Sequence, residues 1–106
     1  MPNEPDVTQK IRIAEKLKCE ILSSVSDLYS EIFSQSDADE RAQTLADIII
    51  FTYMLGNIFG VSNSSIDSKA VSKLRLNIVE ENILYSQSMN LLKHIMRTGG
   101  SDAQSD

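Results

Sequence analysis

Residues 44–77 read TLADIIIFTYMLGNIFGVSNSSIDSKAVSKLRLN, and the order of side chains in this stretch decides the fold. One carboxylate, Asp47, heads a charge-free run from Ile48 to Ile66. Leu45, Ile48, Ile49, Phe51, Met54, Leu55, Ile58 and Phe59 recur at helical spacing, and beyond Asp47 apolar groups surround most of the circumference. Such a helix is expected at the centre of a bundle, covered on more than one side. Gly60, followed by apolar Val61, has the chemistry of a left-handed helix stop. Ser62 to Ser65 then offer N-caps to a further helix, which places Lys69, Lys73 and Asn77 at four-residue steps on one face. A carboxylate inside an apolar face costs several kcal/mol, roughly, unless a cation or strong donors answer it. Asp47 is therefore the first residue to examine for function.

Working outward, the polar segment Ser34 to Asp39 reads as a short turn, with the central helix starting near Asp37 or Asp39. Upstream, Ile11, Ala14, Leu17, Ile21, Val25, Leu28 and Ile32 follow three- and four-residue steps, so a first helix is expected from Val7 to about Ser34. Downstream, the helix that starts near Ser65 is expected to run to Thr98, with Glu80-Glu81-Asn82 marking a kink or a break into two pieces. Gly99-Gly100 is expected to stop it. The organisation expected is a flexible leader at 1–6, one helical domain at 7–98 and a disordered tail at 99–106. Both prolines, Pro2 and Pro5, lie in the leader, so nothing interrupts the helices. The fold class is all-α: a bundle of three to four helices, completed by dimerisation because a core of this size is thin.

The net charge of −5 disfavours nonspecific attachment to nucleic acid or to an anionic membrane. The charge-free run does not read as a membrane span. Its apolar part, Ile48 to Val61, is interrupted by Gly56, Asn57 and Gly60, and a span needs about 20 predominantly apolar residues. The single cysteine, Cys19, allows neither an internal disulfide nor a cysteine zinc site. The first residues carry no basic and apolar signal pattern. A cytoplasmic location follows from these features.

The run from Leu45 to Asn77, with EKLKCEILSSVSDLYSEIF at residues 15–33 before it, resembles the MazG-like proteins of the all-α nucleoside triphosphate pyrophosphohydrolases, over roughly residues 8 to 95. In that family one helix carries Glu-x-x-Glu and the next Glu-x-x-Asp, four carboxylates that hold magnesium against a triphosphate. A later Lys-x-x-x-Asn is associated with the phosphates and the nucleotide. Hard oxygen ligands at a three-residue step share one helix face, which suits Mg²⁺. By this resemblance Glu20 and Asp47 are the metal ligands, Lys73 meets phosphate and Asn77 orients the nucleotide. Two of the four acidic positions are changed: Ser23 stands at one and Thr44 at another. Asp27, Glu31 and Glu40 are nearby in sequence and could substitute for them, although no motif demands it.

The resemblance thus implies a nucleotide-interacting protein, a Mg²⁺-dependent pyrophosphohydrolase with weak or lost activity, assembled as a dimer or tetramer. The alternatives are a non-catalytic module that binds a nucleotide or nucleotide-like signal, and a structural helical oligomer that binds a protein partner. Each candidate also has a plainer reading. Asp47 fits a buried ion pair, Glu20 an exposed pair with Lys16, and Lys69 and Lys73 a solvated face. Tyr29, Phe51 and Tyr53 fit core packing, His94 a helix C-terminus, and Cys19 a bystander thiol.

Overall fold

The computed structural model describes residues 6–105, and the side chains of 6–97. The described residues form four helices and no strand: α1 Val7–Ser34, α2 Ala38–Ile58, α3 Asn63–Glu80 and α4 Tyr85–Ser105. The all-α helical fold class is as expected from the sequence. The chain divides into two compact units, Met1–Asn63 and Ser64–Asp106.

In the first unit, α1 opens on Asp6, whose carboxylate accepts the Gln9 N–H at 2.7 Å, one of the four orphan donors of a helix start. Asp6 thus belongs to the helix start, and the remainder of the expected leader lies outside the described residues. The helix ends on Gln35 in the left-handed region (φ 59°), and Ser36 N–H returns to the Glu31 carbonyl at 3.0 Å. Asp37 caps α2 by accepting the Glu40 N–H at 2.8 Å. The short turn lays α2 antiparallel along α1. Ala14, Leu17 and Ser24 of α1 are buried, and Thr44, Ile48, Phe51, Leu55 and Ile58 of α2 form a half-buried row at four- and three-residue steps.

The expectation that α2 is covered on more than one side does not hold. None of its residues is buried, and Leu45, Ile49, Ile50 and Met54 are exposed. A single neighbouring helix covers only one stripe of an α-helix, and among the described residues of this unit nothing else lies over the remainder. The end of α2 follows the expected pattern. Gly60 is left-handed (φ 82°), Val61 N–H reaches the Gly56 carbonyl at 2.9 Å and Gly60 N–H the Asn57 carbonyl at 3.1 Å.

In the second unit, the polar interval at Glu80-Glu81-Asn82 is a full break between two helices. Glu81 is left-handed (φ 52°), the Asn82 N–H bonds the Asn77 carbonyl at 3.3 Å, and the Asn82 side chain accepts the Leu84 N–H at 2.9 Å. The expected stop at Gly99-Gly100 is corrected: α4 continues through both glycines to Ser105. Glycine weakens a helix by about 1 kcal/mol but keeps its N–H, and no proline follows to break the ladder. His94 consequently lies inside α4 rather than at its end.

Candidate functional site

Asp47 is exposed on α2, so no desolvation cost attaches to it in the chain, contrary to what its apolar neighbours suggest. One turn before it, Thr44 donates its hydroxyl to Glu31 Oε2 of α1 at 2.8 Å, while the same oxygen stands 3.3 Å from the Glu40 carbonyl. The other Glu31 oxygen, Oε1, is buried with no hydrogen-bond partner among the described residues. The Thr44–Glu31 bond fixes the register of the hairpin: residues 31 and 44 stand at one level. Asp47 then lies level with Leu28 and on the same flank as Asp27 and Glu31.

Glu20 lies elsewhere. It is about 16 Å back along α1 from Glu31, while Asp47 is about 4.5 Å from Thr44 in the same direction, an axial offset of roughly 12 Å between the two carboxylates. Two ligands of one cation must both lie within about 2–2.6 Å of it, so this offset separates Glu20 from Asp47 as joint ligands. Glu20 instead pairs with Lys16 at 3.0 Å, an exposed pair one helical turn apart. The described residues include no group of three or more His, Cys, Asp or Glu side chains arranged to hold a metal ion. Glu20 and Asp47, the two ligands that the motif resemblance names, are thus not brought together to share one cation.

In the second unit, Lys73 is exposed on α3 and Asn77 is half-buried one turn later. The Asn77 amide is engaged at both ends. Its nitrogen donates to Ser88 Oγ at 3.0 Å, and its oxygen accepts from the Asn82 amide at 2.8 Å. Ser88 is only 3 % exposed, so Asn77 ties the end of α3 to the start of α4 across the Glu81 turn. A separate open groove beside α3 is lined by Ser64, Asp67, Ser68, Ser72, Arg75 and Met96, among others, and Lys73 is not part of it.

The family model described as MazG-like matches residues 7–91, most of the chain. The chain belongs to the MazG-like family. Comparison with curated proteins and with solved structures yields no match. For this MazG-like chain, the match spans α1, α2, α3 and the start of α4. It thus covers every residue of the degenerate motif and both residues of the Lys-x-x-x-Asn pair. Glu31 was visible in the sequence only as one of several nearby carboxylates. A hairpin that turns between residues 34 and 38 pairs positions whose numbers sum to about 72, which brings Thr44 within one helical turn of Glu31 but does not single it out.

Proposed function

We propose that this chain is a MazG-like nucleotide-interacting protein whose pyrophosphohydrolase activity is weak or lost. The observation that carries the reading is Thr44. It stands where the family carries an acidic ligand, and its hydroxyl occupies one oxygen of Glu31. A carboxylate oxygen engaged by a neutral donor, at a position where the second carboxylate is missing, favours water activation poorly. Family membership supports a nucleotide ligand, and Lys73 is the residue assigned to its phosphates. Asp47 is assigned a polar contact in the first unit. Mg²⁺ enters only as the counter-ion that accompanies a triphosphate, and no dedicated ligand set is drawn for it. Asn77 is assigned to the α3–α4 turn, where both ends of its amide are engaged. A cytoplasmic location is part of this reading. No single helix among the described residues is long and apolar enough to cross a membrane.

Two measurements on one preparation test the reading. In a thermal-shift panel of nucleoside triphosphates, with and without Mg²⁺, at least one nucleotide is expected to stabilise the chain, by about 2.7 kcal/mol at a hundredfold excess over its Kd. Lys73→Ala is expected to reduce that shift. Pyrophosphate release, followed in parallel, is expected to stay at background. Brisk Mg²⁺-dependent release would overturn the loss of activity, and a panel in which no nucleotide shifts the melting point would overturn the ligand class. The structural-oligomer reading is favoured by a different observation, the exposed apolar side chains of α1 and α2.

A further inference from the structure

The second unit holds cations that its own carboxylates do not answer. Residues 68–79 and 82–101 contain no Asp or Glu, so Arg75 of α3 and Lys93 and Arg97 of α4 have none within one helical turn. All three are exposed, and none forms an ion pair among the described residues. Lys93 and Arg97 also stand one turn apart on α4, a like-charge spacing that weakens a helix. An anion beside them removes that repulsion.

The open groove beside α3 lies where these cations meet. Ser64, Ser68 and Ser72 line it at four-residue steps, together with Asp67, Arg75 and Met96. Met96 of α4 shares the groove with Ser64 and Ser68 from the start of α3, so the two helices run antiparallel. The Asn77–Ser88 bond sets their register. Ser72, five residues before Asn77, therefore stands level with Lys93, five residues after Ser88. Lys93 is one turn from Met96 on the groove side of α4, and Arg75 is one turn from Ser72, about 4.5 Å along α3. The long side chains of Arg75 and Lys93 thus reach one point beside the Ser72 hydroxyl. At about 100° per residue, Lys73 and Asn77 fall on the opposite side of α3.

The donors select the ligand. Guanidinium, ammonium and hydroxyl groups are the donors that meet phosphate oxygens, and a guanidinium can do so through two parallel N–H bonds. Asp67 stands about 7.5 Å along α3 from Ser72, far enough to leave the phosphate to the cations. With Ser68 it offers a carboxylate and a hydroxyl, which bond the hydroxyl groups of a polar molecule. The groove volume of about 510 Å³ lies within the roughly 300–1,000 Å³ of small-ligand sites.

We propose that this groove binds a phosphate monoester of a hydroxyl-rich compound, such as a sugar phosphate. Arg75, Lys93 and Ser72 hold the phosphate, and Ser68 and Asp67 hold the body. Arg97 adds to the field that draws the anion in. The proposal is independent of the nucleotide reading, whose phosphate residue, Lys73, lies on the other side of α3.

Titration calorimetry of the full chain at low ionic strength tests it. Glucose 6-phosphate is expected to bind, and inorganic phosphate to bind at least tenfold more weakly. Arg75→Ala and Lys93→Ala are each expected to raise the Kd of the ester at least tenfold, whereas Lys73→Ala leaves it unchanged. Asp67→Asn is expected to narrow the gap between ester and inorganic phosphate. Should an alanine variant lose helicity in circular dichroism, Arg75→Lys probes the same contact, with a several-fold loss expected. Absence of binding by both compounds at millimolar concentration overturns the proposal. So does an affinity that survives Arg75→Ala and Lys93→Ala together, or one that Lys73→Ala removes instead. An ester held no more tightly than inorganic phosphate overturns the assignment of its body to the groove.

Discussion

Thr44 shows what one side chain does in this hairpin. Its hydroxyl holds Glu31 Oε2, while Glu31 Oε1 is buried without a partner. Removing the hydroxyl leaves that carboxylate more poorly satisfied, and hydrogen bonds to charged groups are the ones most costly to lose. Thr44→Val is therefore expected to destabilise the chain by about 1–2 kcal/mol, below the range for full burial because the site is only part-buried. Urea titration with an unchanged m-value checks it, and a shift under about 0.3 kcal/mol would mean the bond is not formed in solution. At this scale the sequence was a mixed guide. Ion pairs one turn apart, such as Lys16–Glu20, follow from spacing alone. The exposure of Asp47 does not, because apolar residues beside it in sequence bury it only where another element covers them.

Helix ends are set by chemistry within a few residues of each terminus, and here reading the sequence succeeds. Asp37 and Gly60 cap α2 as their positions predict. The polar interval after Val79 breaks the chain because Glu81 turns left-handed and Asn77 and Asn82 fasten the turn. Gly60 gives an element-scale prediction. An added Cβ would meet nothing within 4 Å, so space is not the obstacle. The positive φ is, since an L-residue pays about 1–2 kcal/mol there. Gly60→Ala is expected to lower stability by about 1 kcal/mol, and Gly60→Asn by less, as asparagine tolerates that region better. Equal stability of all three chains in denaturant titration would show that the α2 stop is not held in this conformation. The expected stop at Gly99-Gly100 failed for the reason that glycine permits a left-handed cap without requiring one.

Among the described residues few apolar side chains are buried. Most apolar positions predicted for the core are on the faces predicted, yet few are covered, because two helices of the first unit can bury only the sides they turn to each other. If a second copy supplies the missing cover, folding and association are linked, and the midpoint of thermal unfolding depends on protein concentration. A rise of about 3 °C in Tm for each tenfold increase in concentration is expected for a dimer of this length. A Tm constant over two decades would show that the hairpin is stable without a partner.

The amino-acid order alone determined the all-α class, a turn within residues 34–39, the stop at Gly60, a kink or break at Glu80-Glu81-Asn82 and the family kinship. These depend on periodicity and on contacts between residues a few positions apart. Only the tertiary structure decided that Glu31, not Glu20, stands level with the Asp47 end of α2, that Asn77 is spent on a turn, and that apolar side chains of α1 are left exposed. Each of those depends on the register and coverage between helices, which spacing within one helix does not encode.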